Sequence, residues 1–217
     1  MTSRKLAGKV VLITGAAGGL GTALCQRYAA AGALVAAMDL DSAGLDALVA
    51  DLQGKGAKAL ALPGDITDPA ACQAAVESIL ENFGALDGLI NNAGISHRSL
   101  LVDTSSEVIR RVMEVNFFGA SNLTQAALPH IITQQGFIVA ISSVAGFSPL
   151  TGRTGYAASK HALHGFFDSL RSEVEGAGVT VNGNLEAVNR VAMACGRAGG
   201  GGGGDELDVV AAGRDAD

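Results

Sequence analysis

The chain has 217 residues, enough for one sizeable core and most simply a single domain. Apolar residues make up 48% of it, yet no uninterrupted apolar run reaches the roughly 18 residues of a membrane span, and the basic start Met1 to Lys5 leads into Gly8 and Lys9 rather than a secretory core. A net charge of −6 argues against a nucleic-acid surface; Cys25, Cys72 and Cys195, odd in number and without CxxC spacing, suit a reducing cytoplasm.

Lys9 to Thr14 is a short apolar run that predicts a buried parallel strand. It opens into Gly15-Ala16-Ala17-Gly18-Gly19-Leu20-Gly21, followed by a predicted helix from Thr22 to Ala31. A glycine cluster says little in a chain with 30 glycines. Between a strand and a helix it predicts a phosphate cradle, because glycines admit a tight turn and let the helix N–H groups meet a pyrophosphate. The next strand, Ala33 to Met38, ends at Asp39, eighteen residues after Gly21. A carboxylate there accepts hydrogen bonds from a ribose diol and repels a 2′-phosphate. No Arg or Lys lies between Gly15 and Gly21 or just after Asp39, so NAD is expected ahead of NADP.

Further along, helices are predicted to open at Asp41-Ser42 and at Asp68-Pro69, where proline suits the first helical position. Strands are expected near Ala57 to Leu62, Leu86 to Asn91, Phe137 to Ser142 and Gly178 to Val181. Ser105-Ser106-Glu107 opens a long helical region that runs past Pro129 with an expected break near Phe118-Gly119, and Thr154 to Glu175 reads as another helix. This alternation predicts an α/β fold with a doubly wound parallel sheet, helices on both faces, and a switch point beside Thr14 and Asn91 where a dinucleotide fits.

The richest chemistry lies in Tyr156-Ala-Ala-Ser159-Lys160, with Ser143 thirteen residues before the tyrosine. Free tyrosine has a pKa of about 10 and is a poor base at neutral pH. A lysine one helical turn away favours the phenolate. A serine from a neighbouring strand end can hydrogen-bond a substrate oxygen, and spacing favours Ser143 over Ser142. His161 and His164 share the helix without a role in this chemistry, and His97 is expected as a solvated loop histidine. No cluster has metal-ligand spacing, so no metal is expected.

These residues together resemble the short-chain dehydrogenase/reductase family over roughly Leu6 to Val181. Thr14-Gly15-x-x-x-Gly19-x-Gly21 is similar to its cofactor motif, and Asn91-Asn92-Ala93-Gly94 to the segment after its fourth strand. Asp65-Ile66 resembles its adenine-contacting pair, and Asn116, Ser143, Tyr156 and Lys160 its catalytic set. The resemblance implies a Rossmann-type fold and cofactor contacts from Gly15, Gly19, Leu20, Gly21, Asp39, Asp65, Ile66, Asn92, Ala93, Gly94, Tyr156 and Lys160. It implies hydride exchange between NAD(H) and a small alcohol or carbonyl substrate. Tyr156 would be the general acid/base, Lys160 would lower its pKa and hold a ribose, Ser143 would polarise the substrate oxygen, and Asn116 would hold a relay water. A homodimer or homotetramer through the long helices is also implied.

After Val181 the pattern departs from the family. The chain passes through Asn182-Gly183 and Arg197 into six consecutive glycines, Gly199 to Gly204, and has no proline after Pro149. The expectation is a catalytic domain over residues 1–181 and a Gly-rich, disordered tail over 182–217, with the usual last strand and substrate lid lost through a frame change, a natural flexible tail being the alternative. A catalytically impaired nucleotide-binding protein, or an interaction subunit of a complete homologue, is then the alternative to an active enzyme.

Overall fold

The computed structural model describes residues 6–183. Six strands form one parallel sheet in the order β3-β2-β1-β4-β5-β6. They are β1 Val10–Thr14, β2 Leu34–Asp39, β3 Ala59–Pro63, β4 Gly88–Asn91, β5 Phe137–Ala140 and β6 Thr180–Asn182. The chain order reverses between β1 and β4, which places the switch point beside Thr14 and Asn91 as expected.

Strand periodicity explains the two layers of helix. Leu12 faces a core with Met38, Leu89, Ile79, Leu123, Ile131 and Phe167. Val11 and Ile13 face the other, with Val35, Leu45, Val49 and Ile90. The first core packs α3 (Pro69–Phe83), α5 (Ala120–Thr133) and α6 (Thr154–Val174), and the second packs α1 (Gly19–Ala30) and α2 (Ser42–Gly54). A strand buried on both faces has no polar side to show, which is why β1 reads Val-Val-Leu-Ile-Thr.

The helix starts obey capping chemistry. Asp41 accepts from Gly44 N at 3.2 Å to open α2, and Asp68 accepts from Ala70 N at 2.9 Å with Pro69 at the first helical position of α3. β4 starts later than expected because Asp87 serves as an anchor. Its carboxylate accepts from Lys9 Nζ at 2.7 Å and from Val10 N at 2.9 Å, tying the base of β1 to β4.

The expected break near Phe118-Gly119 is absent. Instead α4 (Ser106–Met113) runs into one wide π turn over Glu114–Gly119 and continues as α5. Glycine is there for proximity rather than interruption: a Cβ on Gly119 would lie 2.6 Å from Ile66 Cδ1. Among the described residues no helix is long and apolar enough to cross a membrane. The Gly-rich segment and the predicted loss of a last strand lie outside the described residues.

Candidate active site

At the carboxyl ends of β1 and β4 two turns are stitched together. Thr14 Oγ1 accepts from Asn92 N at 3.0 Å and Ala93 N at 2.9 Å. Asn92 Nδ2 donates to Thr14 O at 2.8 Å and Gly15 O at 3.2 Å. Gly15 sits at φ +63°, where a side chain is strained, and a Cβ on it would lie 2.9 Å from Ala93 Cα. Asn91 turns the other way and donates to Thr124 Oγ1 at 3.0 Å, a structural bond between strand and helix.

These turns border a cleft of about 300 Å³ lined by Gly15, Gly18, Asp39, Asp65, Ile66, Asn92, Ala93 and Gly94. Asp39 closes the end of β2: its carboxylate accepts from Ala17 N at 2.9 Å and Asp41 N at 3.0 Å. Asp65 is partly committed, since its Oδ1 accepts from both Thr67 N and Thr67 Oγ1 at 2.8 Å. Gly19, Leu20 and Gly21 begin α1 without lining the cleft, and Gly21 is buried beneath the turn. The cleft also takes Arg111 and Val115 from the helix opposite, neither of which belongs to a recognised motif. Their i, i+4 spacing just before Asn116 was the available signal.

The other constellation gathers around the first turns of α6. Tyr156 is 5% exposed and Lys160, one turn on, is equally buried. Lys160 Nζ donates to Ile141 O at 3.0 Å and lies 5.7 Å from the centre of the Tyr156 ring. Ser143, three residues past the end of β5, stands close enough to Tyr156 to pull its hydroxyl's pKa down, and its own Oγ accepts from Ala145 N at 3.2 Å. Ser142 instead meets His164, so geometry separates the two serines as spacing did. Gly94 faces this group: a Cβ there would lie 3.1 Å from Asn116 Oδ1 and 3.7 Å from Lys160 Nζ.

Asn116 lies inside the π turn, a distortion frequent at functional sites. Its Oδ1 accepts from Ile95 N at 2.8 Å, while Nδ2 donates to Ile95 O at 2.9 Å and Ser159 Oγ at 3.0 Å. Ser159 in turn donates to Tyr156 O at 2.7 Å. The asparagine side chain thus fastens the loop after β4 to α6, and a relay water would have to use its main chain.

Electrostatics depart from the sequence expectation in one respect. Burial pushes the Tyr156 hydroxyl above its ordinary value, and the neighbouring Ser143 hydroxyl and Arg153 charge pull only partly against it. Contrary to the expectation, Ser143 and Arg153 rather than Lys160 supply that lowering. Burial pushes Lys160 itself down to about 8. An unfolded lysine titrates near about 10.4, so between about 8 and that value the unfolded chain holds the extra proton. Stability from this group therefore rises with pH across that window and is lowest below it. We expect Lys160→Met to be more resistant to unfolding than the parent at pH 7, by a few kcal/mol at most, with the gap narrowing towards pH 10; denaturant titration at several pH values reads it.

His97 corrects another expectation. It is 7% exposed rather than solvated, and both ring nitrogens lack a hydrogen-bond partner among the described residues. Its ring fits because residue 155 is glycine, where a Cβ would sit 3.2 Å from His97 Cε1.

The profile of the short chain dehydrogenase family matches residues 9–194 of this chain. Dehydrogenase/reductase SDR family member 7B of Bos taurus is 46% identical over 173 residues, which span 76% of this chain and 53% of that protein. The 3-oxoacyl-(acyl-carrier-protein) reductase FabG of Thermotoga maritima is 39% identical over 179 residues, covering 82% of this chain and 73% of the relative. The chain spans about half the length of the member 7B relatives it matches. Among solved structures, a short chain dehydrogenase/reductase from Burkholderia phymatum in complex with NAD superposes with a TM-score of 0.78 at 31% identity, covering 81% of this chain and 64% of that one.

Proposed function

We propose, from the premise that this chain belongs to the short-chain dehydrogenase family, that it exchanges a hydride between NAD(H) and a secondary alcohol or ketone. The observation that carries this reading is the gathering of Ser143, the Tyr156 phenol and Lys160 near Gly94, a residue that itself lines the cleft bordered by the glycine turn. A binding module has no use for that proton-transfer set.

The residues fit a dinucleotide. A side chain at Gly15 would press on Ala93, and the open backbone of Gly15 and Gly18 leaves room for a pyrophosphate at the start of α1. Asp39 stands where a ribose diol is recognised. NAD, when bound, supplies the hydride acceptor or donor. The chain's own residues manage the proton. Tyr156 gives it to the carbonyl oxygen in reduction and takes it back in oxidation, while Ser143 holds that oxygen within reach. Lys160, poised near about 8, makes the phenolate accessible as it gains its proton.

NADH fluorescence and a thermal shift, followed by a panel of alcohols and ketones, test this directly. Stabilisation by about 2.7 kcal/mol is expected at a hundredfold excess over the dissociation constant. NADH binding without turnover on the panel would favour the impaired nucleotide-binding alternative. Asp39 sets the cofactor preference by charge: Asp39→Asn should weaken NAD binding and tighten NADP binding, narrowing their ratio by roughly tenfold or more, as measured by paired titrations. Half-exposed Phe118, on the helix that runs from α4 into α5, supports a homo-oligomer built through those helices; the proposal of a cytoplasmic setting rests on the cysteine usage.

A further inference from the structure

Ser143 works only if the short segment from Ile141 to Phe147 aims its hydroxyl at Tyr156. That segment leaves β5, opens with Ser143 extended at φ −151° and curls into a single tight turn over Val144–Gly146. The turn has its own bonds, Ala145 N to Ser143 Oγ at 3.2 Å and Gly146 N to Ser143 O at 2.9 Å, which set its curl but not where it stands against the helix that carries Tyr156. Two contacts from α6 do that. Before Ser143, Lys160 Nζ holds Ile141 O at 3.0 Å. On the other side is His164, one helical turn beyond Lys160 on α6.

His164 Nε2 and Ser142 Oγ share a hydrogen bond of 2.6 Å. The same ring stands edge-on to Phe147, with centroids 4.1 Å apart. It also lies against the loop backbone, since a Cβ on Gly146 would sit 2.7 Å from His164 Nε2 and 3.0 Å from Ser142 Oγ. Ser142 is buried and this is the bond that occupies its hydroxyl. One imidazole therefore touches Ser142, Gly146 and Phe147, on both sides of Ser143 in sequence, without touching Tyr156.

We propose that His164 is a positioning residue for Ser143: through Ser142 and Phe147 it fixes where the curl of residues 141–147 stands against α6, which turns the Ser143 hydroxyl onto Tyr156. This rests on the reading of Ser143 and Tyr156 as the proton-transfer pair. The imidazole neither meets substrate nor moves a proton. It keeps a neighbouring loop in register with the helix that carries the acid. Gly146 belongs to the same device, because any larger residue would push the ring off Ser142.

The test separates positioning from bulk structure and from the activity reading. The chain has two tyrosines, Tyr28 and Tyr156, so isotope-labelled tyrosine gives two ring-carbon NMR signals, assigned with Tyr28→Phe. In Ser143→Ala the Tyr156 signal moves as the neighbouring hydroxyl is lost. His164→Phe keeps an aromatic ring against Phe147 but cannot bond Ser142, and it should move the Tyr156 signal in the same direction. It should also lower kcat by roughly tenfold to a hundredfold with little change in KM or in NADH binding. His164→Gln, which keeps a polar nitrogen at the same reach, should restore both. Ser142→Ala should match His164→Phe, and the double variant should be no worse than either single one. If His164→Phe fails to fold, Ser142→Ala carries the same test.

A Tyr156 signal unmoved in both His164→Phe and Ser142→Ala overturns the inference, whatever kcat does. If Tyr156→Phe keeps its turnover, the activity reading falls on its own, and the NMR signal still decides how His164 acts on Ser143.

Discussion

Tyr156→Phe should abolish measurable dehydrogenase turnover while leaving NADH binding within about twofold of the parent. The ring stays, so the packing of Tyr156 with Val112 and Ala145 is preserved. What goes is one hydroxyl, beside Ser143, on a ring whose centre lies 5.7 Å from Lys160 Nζ. General acid–base catalysis by a positioned side chain is worth roughly 10² to 10⁴ in rate, or about 3 to 5 kcal/mol of barrier. The cofactor cleft is formed mainly by the glycine turn, Asp39 and the Asn92-Ala93-Gly94 segment, none of which the substitution touches. Steady-state rates on the best substrate, beside an NADH titration, read both quantities. A variant that kept more than a tenth of parental kcat would show that another group supplies the proton.

A second large effect is expected at Gly21, and it is steric. A Cβ there would lie 1.9 Å from Gly15 O and 2.8 Å from Ala16 Cα. Both are backbone, with no flexible side chain to swing away, so the turn itself must open. Gly21→Ala should lower the melting temperature by about 5 to 10 °C, from an overpacking penalty of roughly 1 to 3 kcal/mol, and should reduce NADH affinity by a hundredfold or more as the cradle deforms. Gly19 is the control. A Cβ there meets nothing within 4 Å, so Gly19→Ala should fold and melt like the parent. Scanning calorimetry on the pair gives the contrast directly. Equal destabilisation of the two would mean that the turn responds to glycine content and not to the contact with Gly15 O.

The two glycines illustrate how far a motif reads. In sequence Gly19 and Gly21 are equivalent members of one pattern. In the fold one starts a helix in open space and the other is pressed against the preceding turn. The motif ranks them together because it records which residue types occur, whereas the Cβ clash depends on where Gly15 O has been folded back.

The same division runs through the molecule. Strand identities, the strand–helix alternation that implies a switch point beside Thr14 and Asn91, the acidic end of β2 and the Tyr156/Lys160 helix were all legible. Each rests on interactions between residues close in the chain, or on a periodicity that burial imposes locally: Val-Val-Leu-Ile needs two apolar faces, and i, i+4 spacing needs only one helix. Contacts between distant segments were not legible. The π turn at Asn116 answers to Ile95 and Ser159, and Gly119 answers to Ile66. His97 is buried because Gly155 makes room for it, Arg111 reaches the cleft from the helix opposite, and His164 finds Ser142 across 22 residues. The raised Tyr156 belongs with these, since desolvation is set by everything that packs around the ring and not by its neighbour in the motif. Local chemistry chose the elements and supplied the reactive groups. Packing between elements decided which of those groups meet, how dry each becomes, and which unremarkable side chains hold them in place.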